Sequence, residues 1–130
     1  MNIFKAGPLG PSLAPRIRRS KSLFRWIKPL AEWYANIAGY RQMGLRYDDL
    51  IVEERPDVKK AISRLPAKEA YDREYRFRLA SQCSIVHKSL PKEQWVKPED
   101  DVRYLTPHIE EVVKEDQERE KWDTIAVERK

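Results

Sequence analysis

Apolar side chains recur at helical spacing along several stretches of the chain. From Leu23 to Ile37 they fall at Leu23, Trp26, Ile27, Leu30, Trp33, Tyr34 and Ile37, the i, i+3, i+4, i+7 recurrence of one helix face. Pro29 lies inside that run, so a kink there, or a helix beginning near it, is expected. Gly39 supplies a stop signal. Arg55-Pro56-Asp57 opens a short helix over Asp57–Leu65, with Val58, Ile62 and Leu65 on one side and Pro66 ending it. The longest uninterrupted pattern runs from Ala67 to Ser89. There Tyr71, Tyr75, Leu79, Cys83, Val86 and Leu90 follow at steps of four or three, which predicts one buried face.

Between this helix and the next lies Leu90 to His108, with prolines at 91, 98 and 107. Each fixes its own φ and turns the preceding residue away from helix, so the stretch reads as a bracket between two helices. Trp95 stands in it as a large apolar side chain among polar ones. It is either a lid over the chain's own core or an anchor for another protein. The lid is preferred, because the helices on either side must pack back on each other. Past the bracket, Thr106-Pro107 gives an N-cap followed by proline, and Glu110 and Glu111 fill the first turn. Leu105, Ile109, Val112 and Val113 make a short apolar face. From Lys114 to Lys121 the helix is polar all round, with Glu110–Lys114 and Glu115–Arg119 at favourable (i, i+4) spacing. The segment Tyr47-Asp48-Asp49-Leu50-Ile51-Val52-Glu53-Glu54 is too short to assign as a strand. Its acid pairs lack the alternating oxygens and the glycine of a calcium loop, so solvated charge is expected there.

The resulting picture is an all-α fold, a small irregular helical protein with a basic N-terminal arm over residues 1–21, a single helical domain over 22–130 and a long polar C-terminal helix. At 130 residues and 41% hydrophobic, the core is modest. No run approaches the roughly 20 apolar residues of a membrane span. Cys83 is the only cysteine, which excludes a disulfide or cysteine metal cluster within one chain. Its place in the stripe makes it a buried structural thiol.

The net charge of +5 hides a polarity. Lys5, Arg16, Arg18, Arg19, Lys21, Arg25 and Lys28 precede the first acid, Glu32, whereas Glu110 to Lys130 carries eight acids against five bases. Opposite ends of opposite charge point to two different partners or two different jobs. The arm itself has three readings: a mitochondrial targeting segment, a retained arm on anionic lipid or acidic protein, or a tail without a role. Catalytic motifs are missing: there is no phosphate-cradling glycine loop, no His/Cys metal spacing and no nucleophile arrangement. Nucleic-acid binding fits the pI of about 9.3, but the central bases alternate with Glu69, Asp72 and Glu74, and no aromatic RNA platform or recognition helix is visible. A helical adaptor within a larger assembly fits the residues best, with a basic helical nucleic-acid-binding protein as the alternative.

The block Leu90-Pro91-Lys92-Glu93-Gln94-Trp95, followed by Glu99-Asp100 and Tyr104-Leu105, resembles the family of the small matrix-side 14 kDa subunit of the mitochondrial cytochrome bc1 complex. So do Trp33-Tyr34 with Ala38-Gly39-Tyr40, Leu45 with Asp48-Asp49, the segment Ala61 to Pro66 (with Ser63 where arginine is common), and Tyr71, Arg73 and Arg76 in order. The resemblance covers about Leu23 to the C-terminus, and Trp122 to Val127 is similar to the longer, fungal-type tail. It implies a non-catalytic subunit with no cofactor or metal. Such a subunit is peripheral on the matrix side of the inner membrane and supports cytochrome b during ubiquinol to cytochrome c electron transport. Cytochrome b, the core subunits and another small subunit would be its neighbours, with anionic phospholipid as a further contact and no nucleic acid. The candidate partner or lipid contacts are Arg16, Arg18, Arg19, Trp26, Trp33, Tyr34, Trp95, Arg103 and Tyr104.

Overall fold

A computed structural model describes residues 5–7 and 10–125. Met1 to Phe4, Pro8 and Leu9 of the arm, and Ala126-Val127 of the tail lie outside the described residues. Among the described residues the chain is all-α apart from one small ribbon, in which β1 (Lys5–Gly7) pairs antiparallel with β2 (Gly10–Ser12). The arm's glycines and prolines therefore do not exclude regular structure. Gly10 takes a positive φ at the turn of the ribbon, and Pro15 sits in the first turn of a short helix, α1 (Ala14–Arg19), where its missing N–H costs nothing.

After Ser20, α2 (Lys21–Ile37) runs without interruption through Pro29, although that ring leaves the carbonyl four residues earlier without its amide. None of its residues is buried. Two 3-10 turns follow, Tyr40–Met43 and Tyr47–Leu50. They are separated by Gly44, whose φ of 79° belongs to the left-handed region. A Cβ there would come within 3.2 Å of Leu90 and 3.4 Å of Leu79, so the left-handed backbone favours glycine and the leucines leave a larger residue little room.

The core lies between two later helices. α3 (Pro56–Ser63) packs against α5 (Thr106–Asp123), and Val58, Ala61, Leu105, Ile109 and Val112 are fully buried between them. Both runs were legible as apolar faces. Outside this seam, Arg64 grips Glu115 with two bonds of 2.6 Å and Lys60 reaches Asp116 at 3.2 Å. Glu115 thus pairs across helices rather than with Arg119. Past Val113 the helix is exposed.

α4 (Ala67–Val86) corrects the sequence reading. Its buried residues are Arg73, Arg76, Ala80 and Cys83. Of the expected stripe, Cys83 is buried and Leu79 and Leu90 are half-buried, but Tyr71, Tyr75 and Val86 are exposed. The reason is geometric: each step of four overshoots a full turn by about 40°, so the stripe winds by roughly a third of a turn between Tyr71 and Cys83. The helix also ends at Val86 rather than Ser89, because His87 takes a positive φ of 53° and the Lys88 amide turns back to the Cys83 carbonyl at 3.1 Å, a left-handed helix stop.

The bracket does join α4 to α5, with one 3-10 turn at Lys92–Gln94. It folds onto the first 3-10 turn through Leu90 N–H to the Gln42 carbonyl (3.0 Å) and Val96 N–H to the Arg41 carbonyl (3.2 Å). Trp95 is half-buried there, and its indole N–H donates to the Leu90 carbonyl at 2.7 Å. It is a clasp on the bracket and not part of the α3–α5 core. Trp95→Ala is therefore expected to lower the unfolding free energy of the full chain by about 1–3 kcal/mol, the sum of one hydrogen bond and partial burial; urea titration checks this, and a loss near 5 kcal/mol would return the tryptophan to the core.

Candidate subunit interface

Three aspartates organise the middle of the molecule. Asp48 and Asp49 are buried, against the expectation of solvated charge. Asp48 Oδ2 accepts the backbone N–H groups of Leu105 and Thr106, both at 2.9 Å, and Oδ1 accepts the Thr106 hydroxyl at 2.9 Å. The first amides of α5 are thus capped from 57 residues away, while the Thr106 side chain makes no local cap. Glu110 and Glu111 fall beyond the first turn. Asp49 takes a two-pronged grip from Arg76 (2.7 and 3.0 Å), the Arg46 N–H (2.9 Å) and the Tyr104 hydroxyl. Arg73 lies 3.9 Å away and donates to Glu53. Asp101, from the bracket, accepts the Tyr40 hydroxyl (2.7 Å), Arg41 (2.9 and 3.1 Å) and the Tyr47 N–H (2.8 Å). Arg41 also holds Asn36 of α2 at 3.0 Å, which ties α2 to this knot.

Burial alone would push the carboxyls of Asp49 and Asp101 up. For Asp49 the donors Arg76, Tyr104 and the Arg46 N–H outweigh it, and for Asp101 the Tyr47 N–H, Tyr40 and Arg41 do, so both are held below the usual carboxylate range. Burial and the Asp49 carboxylate together raise the Tyr104 hydroxyl well above its ordinary value. For an acid depressed on folding, the stabilisation is present above its unfolded pKa of about 3.9 and is lost as pH falls through the lower folded value. The urea midpoint is expected to stay level from pH 7 to about pH 5 and to fall steeply below about pH 4. A midpoint unchanged at pH 3 would contradict this.

With its polar interior committed to the knot, the chain leaves its large apolar side chains outside. On α2, Trp26 is 84% exposed, Trp33 59%, Tyr34 69%, Leu30 61% and Ile37 61%. Tyr71, Tyr75, Ile85 and Val86 are exposed on α4, as is Trp122 at the end of α5. An amphipathic helix with its apolar stripe in water is a candidate docking face. Arg16, Arg18 and Arg19 project from α1 into solvent. Arg103 and Tyr104 belong instead to the knot's edge: the Arg103 guanidinium lies 3.6 Å from the centre of the Tyr47 ring, and Tyr104 is flanked by Arg46 and Arg76 at 5.8 and 5.1 Å. The sequence reading missed Asp48, Asp49, Asp101, Arg41, Arg73 and Arg76 as organising residues. One signal was available: Arg73, Arg76, Ala80 and Cys83 share a helix face at steps of three and four, a narrow face with small residues at one end and arginines at the other.

Among the described residues no group of three or more His, Cys, Asp or Glu is arranged to hold a metal ion, and no helix is long and apolar enough to cross a membrane. Among the described residues, a largely satisfied polar knot, in which Arg73 keeps one buried nitrogen without a hydrogen-bond partner, sits beside a small core and broad exposed apolar faces. The ubiquinol-cytochrome C reductase complex 14kD subunit family matches residues 21–120, and the chain belongs to that family. It is similar to cytochrome b-c1 complex subunit 7 of Neurospora crassa, at 50% identity over 90% of this chain and 95% of the relative. The Saccharomyces cerevisiae subunit 7, named as mitochondrial, is 40% identical over 85% of this chain and 87% of its own length. The Homo sapiens subunit 7 is 44% identical over 75% and 87%. The family is one of structural accessory subunits, not catalytic on their own.

Proposed function

We propose that this chain is a non-catalytic accessory subunit of the mitochondrial cytochrome bc1 complex, peripheral on the matrix side of the inner membrane. There it supports the assembly and stability of cytochrome b during ubiquinol to cytochrome c electron transport. The observation that carries this reading is α2: a 17-residue helix with no buried residue and a stripe of Leu, Trp, Tyr and Ile in water. A contiguous exposed apolar face of this kind marks a surface for another molecule. In this reading the Trp26/Trp33/Tyr34 stripe buries against cytochrome b, and the polar half of α5 lies along a core subunit with another small subunit nearby. Arg16, Arg18 and Arg19 meet anionic phospholipid headgroups or the matrix face of cytochrome b, as the absence of acids before Glu32 favours. Trp95 stays with its own bracket.

The test is extraction of inner membranes in mild detergent, followed by capture through an affinity tag placed on this chain. Cytochrome b is expected to co-purify in constant proportion across the elution peak. Recovery of the chain free of cytochrome b, or with nucleic acid in a salt-sensitive complex, would sink the reading.

A further inference from the structure

Between α1, the inner side of α2 and the Tyr47–Leu50 turn lies an open groove of about 750 Å³, within the size range of small-molecule sites. Its walls are chiefly apolar and include Ile17, Phe24 and Leu50. Its cations are Arg18, Lys28, Arg41 and Arg103, against two acids, Glu32 and Asp101. Asp101 is already neutralised by Arg41, Tyr40 and the Tyr47 N–H. Glu32 sits 3.8 Å from Lys28 at the surface. Arg103 is anchored by its stack on Tyr47, but its Nη1 stops 3.6 Å short of Asp48, beyond hydrogen-bond range, so its fork keeps free donors. The groove therefore combines an apolar trough with a net positive rim.

We propose that this groove binds one anionic phospholipid, with acyl chain along Ile17, Phe24 and Leu50 and phosphate against Arg18, Lys28 and Arg103. The trough selects an amphiphile over free phosphate, and the rim selects an anionic over a zwitterionic headgroup. The proposal rests on the reading of the basic arm as the lipid-facing edge of the chain. It goes beyond that reading by assigning a bounded site on the α1-facing side of α2, beside the stripe offered to protein and bordering it at Tyr34.

The experiment titrates the full chain by calorimetry with dihexanoyl phosphatidylglycerol below its micelle concentration, with dihexanoyl phosphatidylcholine, and with inorganic phosphate. Saturable binding of the phosphatidylglycerol is expected, at least about tenfold tighter than the phosphatidylcholine, with no heat from phosphate. Leu50→Asp and the double variant Arg18→Glu/Lys28→Glu alter exposed side chains, and circular dichroism verifies their fold. Each is expected to weaken phosphatidylglycerol binding at least about tenfold. Equal affinity for both lipids, binding of phosphate alone, or undiminished binding by either folded variant overturns the site. Sedimentation with vesicles of four parts phosphatidylcholine to one part phosphatidylglycerol separates the two levels of the claim. Vesicle binding without short-chain binding overturns the groove and leaves the arm reading standing; failure of both removes both.

Discussion

Replacing Asp49 with alanine is expected to cost the full chain about 3–5 kcal/mol of unfolding free energy, the range for removing one partner of a buried ion pair. Arg76 is 9% exposed, and its guanidinium finds two of its bonds on this one carboxylate. Without it, a charge stays buried with its donors unpaired, and the Tyr104 hydroxyl and the Arg46 N–H lose their acceptor as well. Against a typical total of about 5–15 kcal/mol, that loss takes up a large share. The companion double variant Asp49→Ala/Arg76→Leu removes the orphaned charge along with its partner. It is expected to recover part of the loss, since a buried pair is often no better than apolar residues of the same volume. Urea midpoints of wild type, both single variants and the double variant give the coupling directly. A single Asp49→Ala loss under about 1 kcal/mol would mean that water, rather than Asp49, satisfies Arg76.

Asp48→Ala is expected to cost about 2–4 kcal/mol, by a different route. Here no buried cation is stranded. Instead the Leu105 and Thr106 amides at the start of α5 lose their only acceptor from this carboxylate, and the Thr106 hydroxyl loses its own. A lost helix cap costs about 1–2 kcal/mol, and the further buried donor adds to it. The damage is also local. Hydrogen exchange is expected to quicken first at the amides of residues 105–109, where Leu105 and Ile109 anchor the core, before it quickens in α4. Uniform acceleration through the whole chain, or none at α5, would contradict the capping role. Asp48→Asn keeps one carbonyl oxygen for the two amides and is expected to lose less than alanine does.

These two residues mark the boundary of what could be read from the residues alone. The α3–α5 core was legible because Val58, Ile109 and Val112 sit in regular apolar spacing on short helices. The bracket was legible because proline acts on its immediate neighbours. The knot was not legible, because most of its bonds span 27 to 61 residues of sequence, and nothing in the local pattern of Tyr47 to Glu54 says which carboxylates turn inward. The same non-local pairing made α4 deceptive. Arginines 73 and 76 are buried because Asp49 and Glu53 meet them, so tyrosines that looked like core were displaced to solvent. In the arm, Pro15 reads as a breaker in isolation and as a first-turn residue once a helix follows it. The α2 stripe was visible at once, but periodicity does not distinguish a face that folds inward from one that waits for a partner. That distinction came from exposure.

The central claim is that the apolar stripe of α2 serves assembly and contributes nothing to the chain's own fold. The most direct measurement introduces Trp26→Ser and Trp33→Ser together and follows two quantities: the thermal midpoint of the free full chain, and the amount of that chain recovered with cytochrome b after detergent extraction. Because both side chains are exposed, the midpoint is expected to move by no more than about 2 °C, within the usual effect of surface substitutions, while recovery with cytochrome b falls at least about tenfold. A midpoint lowered by about 10 °C or more, or full recovery in the complex, would contradict the claim.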